Sequence, residues 1–488
     1  MSNSSTVVKK NFVWSSVLTA SGYLFPLITF PYVSRVLGVA GIGRYQFACS
    51  IISYFNIIAM MGIATIGIRE IAKAKGERGQ LSQAFSSLIT LNLLSTSIAV
   101  FLLIICLCVV SSFHEVKGML LLGIANIFCN TFVIEWLFKG LEDFRYITIR
   151  GLLIRSVYVG CVLIFVRDAD DCIIYFLLTT LVVVANSIIN IIYSRKYVDF
   201  SYKKIHIKPY IKPFLILGIY QILTAMYLSF NVIFLGSKCG DIEVGYYSTA
   251  TKLYGLIMSF FTAFAGVMLP RMSSLIEYGE KEEFGRLSSK SIDFLLLFSI
   301  PIIVITEVYA PVIINLMAGS GYEGAILPMR IVMPLMLIIG YEQIVVIQML
   351  TPLRKDNAIL INSVVGASIA LLLNFTIVPK YGCVGSAIVW CCSELSVLLS
   401  AQKYIQRYSD FKIPFTKIFA SLIVVFPSVL LCLFVNNYID SQFLQILIGS
   451  TIVIVYFFLT EMYILKNELL LNNVNWAFKR ILCKTKKL

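Results

Sequence analysis

The sequence predicts an all-α polytopic membrane protein: two pseudo-symmetric six-helix lobes followed by two further C-terminal helices, twelve to fourteen transmembrane helices in all. Three observations carry this expectation. Apolar residues fall in blocks of about 20, long enough to cross hydrocarbon as helices, and short charged segments divide them. Basic residues alternate between dense and sparse from one loop to the next. A glycine corner near the start, IGRYQFA at 42–48, returns 202 residues later as VGYYSTA at 244–250.

Composition excludes most other classes. The chain is 59% hydrophobic and 14% charged, with a mean hydropathy of +0.87; about a quarter of a soluble domain is charged. Alternation over about 10 residues, the mark of a membrane β-barrel, is absent. A net charge of +14 reads as loop bias and not as a nucleic-acid footprint. The twelve cysteines fall mostly in apolar runs, without C-x-x-C or zinc spacing, and read as small buried hydrophobes. His114 and His206 both fall in loops, so neither a metal nor another cofactor is expected. The first ten residues are polar and the run after them lacks a small-residue cleavage pattern, so it reads as a first span, not a removed signal. No GxxxxGK[ST] loop occurs, so ATP hydrolysis by this chain is not expected.

In order, the spans are expected near 11–33, 43–65, 84–112, 117–137, 151–167, 172–193, 212–236, 245–270, 292–316, 326–350, 357–377, 383–403, 415–435 and 442–463. That is fourteen, or twelve to thirteen where a weak pair merges. Starting inside, one face receives 32 of the 40 basic residues, among them Lys9, Lys10, Arg69, Lys73, Arg145, Arg150, Arg195, Lys203, Lys204, Arg271, Arg354, Arg407 and the tail's Lys479, Arg480, Lys484, Lys486 and Lys487. The other receives seven: Arg35, Arg44, Lys117, Arg167, Lys238, Arg330 and Lys380. By the positive-inside rule both termini are cytoplasmic.

The repeat aligns Gly43 with Gly245, Tyr45 with Tyr247, Ala48 with Ala250 and, by the same shift, Arg69 with Arg271. The dipeptide LG also recurs at 37–38 and 235–236 if a small insertion is allowed, and YGCVGSAIV at 381–389 echoes the corner more weakly. The shift spans six helices, so the halves share one orientation, and the lobes would face each other across a central cavity. The expected divisions are 1–200 and 201–405 for the lobes, and 406–488 for two additional helices and a basic tail.

Ionisable groups inside spans are costly unless they face protein or water, so they are functional candidates. Lys252 stands first, several residues inside an apolar run, and Arg330 follows. Arg35 and Arg44 flank the first outer corner, where they either snorkel to lipid phosphate or line the cavity mouth. Arg155 lies nearer the inner surface. Glu135, Glu307, Glu342 and Glu394 serve ion coupling or pair with the bases. Pro26 and Pro31 are expected to kink the first span, as a moving hinge or a fixed bend.

FPYVSRVLGVAGIGRYQFACSIISYF (30–55) and MGIATIGIREIAK (61–73) resemble the opening of the Wzx-type polysaccharide flippases, in the multidrug/oligosaccharidyl-lipid/polysaccharide exporter superfamily. The resemblance continues in WLFKGLEDFRYITIRGLLIR (136–155), VGYYSTATKLYGL (244–256), VMLPRMSSL (267–275) and NFTIVPKYGCVGSAI (374–388). It implies a bacterial inner-membrane protein that moves an undecaprenyl-diphosphate-linked oligosaccharide, an O-antigen or related repeat unit, to the periplasmic leaflet by alternating access. An ion gradient is a candidate driving force. Membrane lipids, a polysaccharide polymerase and a chain-length regulator are candidate partners, and nucleic acid is not. Bases of a central cavity would hold the diphosphate; Arg35, Arg44, Lys252 and Arg330 are the candidates here. The alternative is a cation-coupled multidrug antiporter of the same fold, which should favour cavity carboxylates. A membrane glycosyltransferase or polymerase should show a large periplasmic loop, and none occurs.

Overall fold

In the computed structural model, residues 2–200, 205–228, 230–409, 411–467 and 469–471 are described. Lys203, Lys204, Lys479, Arg480, Lys484, Lys486 and Lys487, which entered the charge alternation, lie outside them, as do the side chains of Lys9 and Lys10. The described helices are α1 Ser2–Met60, α2 Ile63–Lys73, α3 Arg78–Val109, α4 Lys117–Asn130, α5 Glu135–Gly140, α6 Phe144–Phe165, α7 Cys172–Ser194, α8 Lys208–Leu228, α9 Phe230–Cys239, α10 Asp241–Glu277, α11 Lys281–Ala318, α12 Ile326–Val332, α13 Leu335–Gln343, α14 Asp356–Ile405, α15 Phe415–Asn436 and α16 Gln442–Tyr463. A π-helical stretch, Ile344–Leu350, continues α13.

Among the described residues, eleven helical stretches are long and apolar enough to cross a bilayer. Two of them, containing α1 and α14, each hold a non-helical glycine that divides them into two spans. The pair α8 and α9, bent by 45°, makes one more. The described residues thus hold fourteen spans. Their polarity suits lipid: Phe101 and Leu153 are each 63% exposed, while Asn92, Asn190, Gln348 and Asn374 are fully buried. Helices bury polar groups against one another when the surrounding solvent is hydrocarbon.

The chain packs as two compact units. The first takes the described residues of Met1–Ser248, Met317–Tyr322 and Asn374–Ser386; the second takes those of Thr249–Leu316, Glu323–Leu373 and Ala387–Leu488. In the first, α1 packs against α3, α4 and α6, and α4 against α7. The short α2 buries Ile63, Ile66, Gly67 and Ile71, a helical stripe, and turns Arg69 and Lys73 outward, with Glu70 half-buried between them. Its stripe meets Trp136, Leu137 and Phe138 of α5 in one apolar core. In the second unit, α15 pairs with α16.

The break in α1 falls at Gly38, not at the prolines. Gly38 has φ 64° and ψ −179°, the one non-helical residue in a helix that runs through Pro26 and Pro31. Gly240, displaced from it by the same 202 residues that relate Gly43 to Gly245, has φ 86°. The pairing of LG at 37–38 with LG at 235–236 is therefore corrected: Gly236 lies within α9, and the counterpart of Gly38 is Gly240, with no insertion. Gly382, in the weaker echo, repeats the geometry with φ 53° inside α14. Left-handed backbone of this kind is accessible to glycine at little cost.

Gly43 and Gly245 lie in a reciprocal contact. A Cβ on Gly43 would strike the carbonyl of Asp241, and one on Gly245 would strike the carbonyl of Val39. Each glycine thus packs on the residue one turn before the other, as two-fold-related helices would. The repeat is a physical contact as well as a similarity of letters.

Candidate functional site

The glycine corners gather in the first unit and are tied to one another. Arg44 Nε donates to Asp241 Oδ2 at 3.0 Å, joining the first corner to the second. Glu243 Oε2 accepts from the Cys383 amide at 2.6 Å, joining the second to the third. Asn231 Nδ2 donates to the Ser386 carbonyl at 2.8 Å. Tyr322 Oη donates to the Ser34 carbonyl at 3.0 Å, and Ser34 Oγ to the Met317 carbonyl at 3.4 Å. Arg35 is exposed; its Nη1 donates to the Pro31 carbonyl at 2.6 Å and its stem lies against Gly319.

Glu135 and Glu394 each form an acidic centre within a span. In the first unit, Glu135 opens α5 and is held by two cations, Arg150 Nη2 at 2.6 Å and Lys139 Nζ at 3.2 Å. Arg150 is 6% exposed, and its other terminal nitrogen bonds Asn190 Oδ1, while Asn190 Nδ2 bonds the Val133 carbonyl. In the second unit, Glu394 is 2% exposed. It accepts from Trp390 Nε1 at 2.9 Å, and the Glu342 carboxyl lies beside it. Tyr254 packs edge-on against Trp390, with ring centroids 5.0 Å apart. Its buried hydroxyl has no hydrogen-bond partner among the described residues.

Arg330 lies half-buried in the last turn of α12, with Nε donating to the Glu307 carbonyl at 3.1 Å. Lys252 is half-buried in α10. The eight candidate residues are therefore distributed, not clustered. Glu342 meets Glu394 and Arg330 meets Glu307 in the second unit. Glu135 lies in the first, as do Arg35 and Arg44 at the corners. Asp241, Glu243, Arg150 and Tyr254 were not among the candidates. Asp241 and Glu243 stand in the first turn of α10, where an acid also suits the helix dipole, and only the repeat shift hints that they face the first corner. Among the described residues no group of three or more His, Cys, Asp and Glu is arranged to hold a metal ion.

Comparison with known proteins places this geometry. The chain resembles a proposed O-antigen transporter of Escherichia coli (strain K12), 24% identical over 404 residues that span 81% of this chain and 96% of that one. The lipid II flippase MurJ in an inward closed conformation shares the fold with a TM-score of 0.77 and 14% identity, covering 94% of this chain and 100% of that chain. An inward-facing multidrug resistance MATE family transporter of the MOP superfamily matches with a TM-score of 0.62 and 15% identity, over 79% of this chain and 96% of that one. The profile of the family described as "Polysaccharide biosynthesis protein" matches residues 8–276, more than half of the sequence. The chain belongs to the polysaccharide biosynthesis protein family, on the fold of the MOP superfamily.

Proposed function

We propose that this protein is a flippase that carries undecaprenyl-diphosphate-linked oligosaccharide repeat units, of O-antigen or a related surface polysaccharide, from the cytoplasmic to the periplasmic leaflet of the bacterial inner membrane. One observation carries the reading: membership of a polysaccharide biosynthesis family coincides with a fold that aligns over 94% of the chain with a lipid II flippase. The relatives described as O-antigen transporters support the substrate class. The charge imbalance of the loops supports cytoplasmic termini.

Transport of this kind needs no covalent step. Two six-helix lobes, 1–200 and 201–405, alternate access while the lipid tail stays in the bilayer and the charged head crosses polar protein. Arg35, Arg44, Lys252 and Arg330 serve the diphosphate and acidic sugars. Arg44 does so when the outer corners part and Asp241 releases it. Glu342 and Glu394 take up and release a proton and so couple the cycle to an ion gradient, while Glu135 and Glu307 are charge partners. A polysaccharide polymerase and a chain-length regulator receive the product.

Deletion in the native host tests the reading. Lipid-linked repeat units should accumulate on the cytoplasmic side and the surface polymer should be lost, with recovery on complementation. Drug sensitivity with normal polymer would instead establish the multidrug antiporter.

A further inference from the structure

Where α6 begins and α7 ends, the first unit holds a cavity of about 780 Å³ lined by none of the residues proposed to hold the substrate. Its polar wall is built from stacked tyrosines: Tyr146 lies on Tyr193 with centroids 3.6 Å apart and planes at 11°. The carboxylate in this wall is already engaged. Asp143 Oδ2 accepts from Tyr193 and Tyr197 hydroxyls at 3.0 and 2.9 Å, and Oδ1 from the Tyr146 amide at 3.3 Å. Burial, followed by the bonds to Tyr193 and Asp143, pushes the Tyr197 phenol upward, so it stays a donor. Glu142, the other acid, is paired with Lys75 at 2.9 Å.

The cations are less fully engaged. Arg150 lines the cavity with its buried Nε lacking a partner among the described residues. Arg145 and Lys196 are exposed at the rim, and Lys196 Nζ stands 5.8 and 5.4 Å from the ring centres of Tyr193 and Tyr197. The other wall is aliphatic and open: Ile149, Ile189 and Leu153 are exposed, and on a spanning helix that exposure faces lipid chains. Charge above and hydrocarbon below, at the end of a span, is the arrangement of a bound lipid with its headgroup at the surface.

We propose that this cavity binds an anionic glycerophospholipid, its phosphate on Arg145 and Lys196 and an acyl chain along Leu153 and Ile189. The bilayer's own lipid is favoured over a polyprenyl-linked one because the site lies within one unit and opens on a bilayer-facing wall, where bulk lipid is in large excess. The inference stands independently of the flippase reading.

The test uses the full-length protein in phosphatidylcholine nanodiscs, with cardiolipin or phosphatidylglycerol added, and native mass spectrometry after gentle release. Wild-type protein should retain the anionic lipid about tenfold over phosphatidylcholine, and R145A/K196A should lose that preference. Charge-preserving R145K/K196R should restore it. Both side chains are exposed, so folding is expected to survive; K196A alone, compared with K196R, decides the matter if the double variant aggregates. Undiminished preference in R145A/K196A, or in K196A if that comparison is needed, would overturn the assignment. So would selective retention of undecaprenyl phosphate over cardiolipin in a competition.

Discussion

Glu135 and Glu394 are the same residue type in the same kind of setting, a carboxyl within an apolar span, yet their surroundings are opposite. Glu135 is gripped by Arg150 and Lys139, and Asn190 locks the guanidinium in place. Glu394 has an indole N–H and a second carboxyl, and no cation approaches it among the described residues. A compensated buried charge is scaffolding, costly to break and unresponsive once made. Two neighbouring carboxyl groups without a cation repel each other when both are ionised, which favours a proton on one of them. The first arrangement fixes α5, α6 and α7; the second has no charge partner of that kind.

Breaking the scaffold should have the largest effect. Arg150→Ala leaves Glu135 with Lys139 alone and leaves Asn190 Oδ1 with only the Tyr146 hydroxyl as donor. A loss of about 3 kcal/mol is expected, at the lower end of the cost of breaking a buried pair, because one cation remains. Thermal unfolding of the purified protein reads it, and surface polymer should fall only in proportion to protein abundance. The Glu342–Glu394 pair should behave in the reverse way. Glu394→Gln keeps the volume and the indole bond, so stability should hold, while transport falls tenfold or more at matched abundance, about 1.4 kcal/mol in the barrier. Accumulated lipid-linked repeat units measure it. Normal transport by E394Q would collapse the distinction and make both centres structural.

The fourteen spans were legible because each apolar block is bounded by its own charged loop, a local signal. The corner was legible in part. The shift of 202 was visible in Gly43 and Gly245, but matching the letters LG led to Gly236 when conformation required Gly240. The acidic centres were legible only as positions. Glu342 and Glu394 come from separate helices, and no local pattern says that one meets the other while Glu135 meets Arg150. Arg150 was legible only as one of the basic residues of one face, because its burial depends on Glu135 and Asn190, contributed by α5 and α7. Asp241 was hidden in another way: an acid just after a glycine is an ordinary helix start, and its partner lies 197 positions earlier.

That last pair gives the smallest predicted effect on stability and the sharpest on mechanism. The Arg44 side chain is 49% exposed and that of Asp241 15%, so the bridge is largely solvated and should contribute about 0–1 kcal/mol. Glycine packing and the backbone bonds from Glu243, Asn231 and Tyr322 hold the corners without it. Arg44→Ala should therefore leave the unfolding temperature nearly unchanged. If Arg44 only latches the corner, the exchange R44D/D241R should restore transport lost in R44A, since it restores the bridge. If Arg44 also receives the anionic head once Asp241 lets go, the exchange should stay impaired, because an aspartate then stands where the substrate needs a base. Repeat-unit flipping by R44A and by R44D/D241R at matched abundance separates the two, and the proposed substrate role requires that the exchange fail.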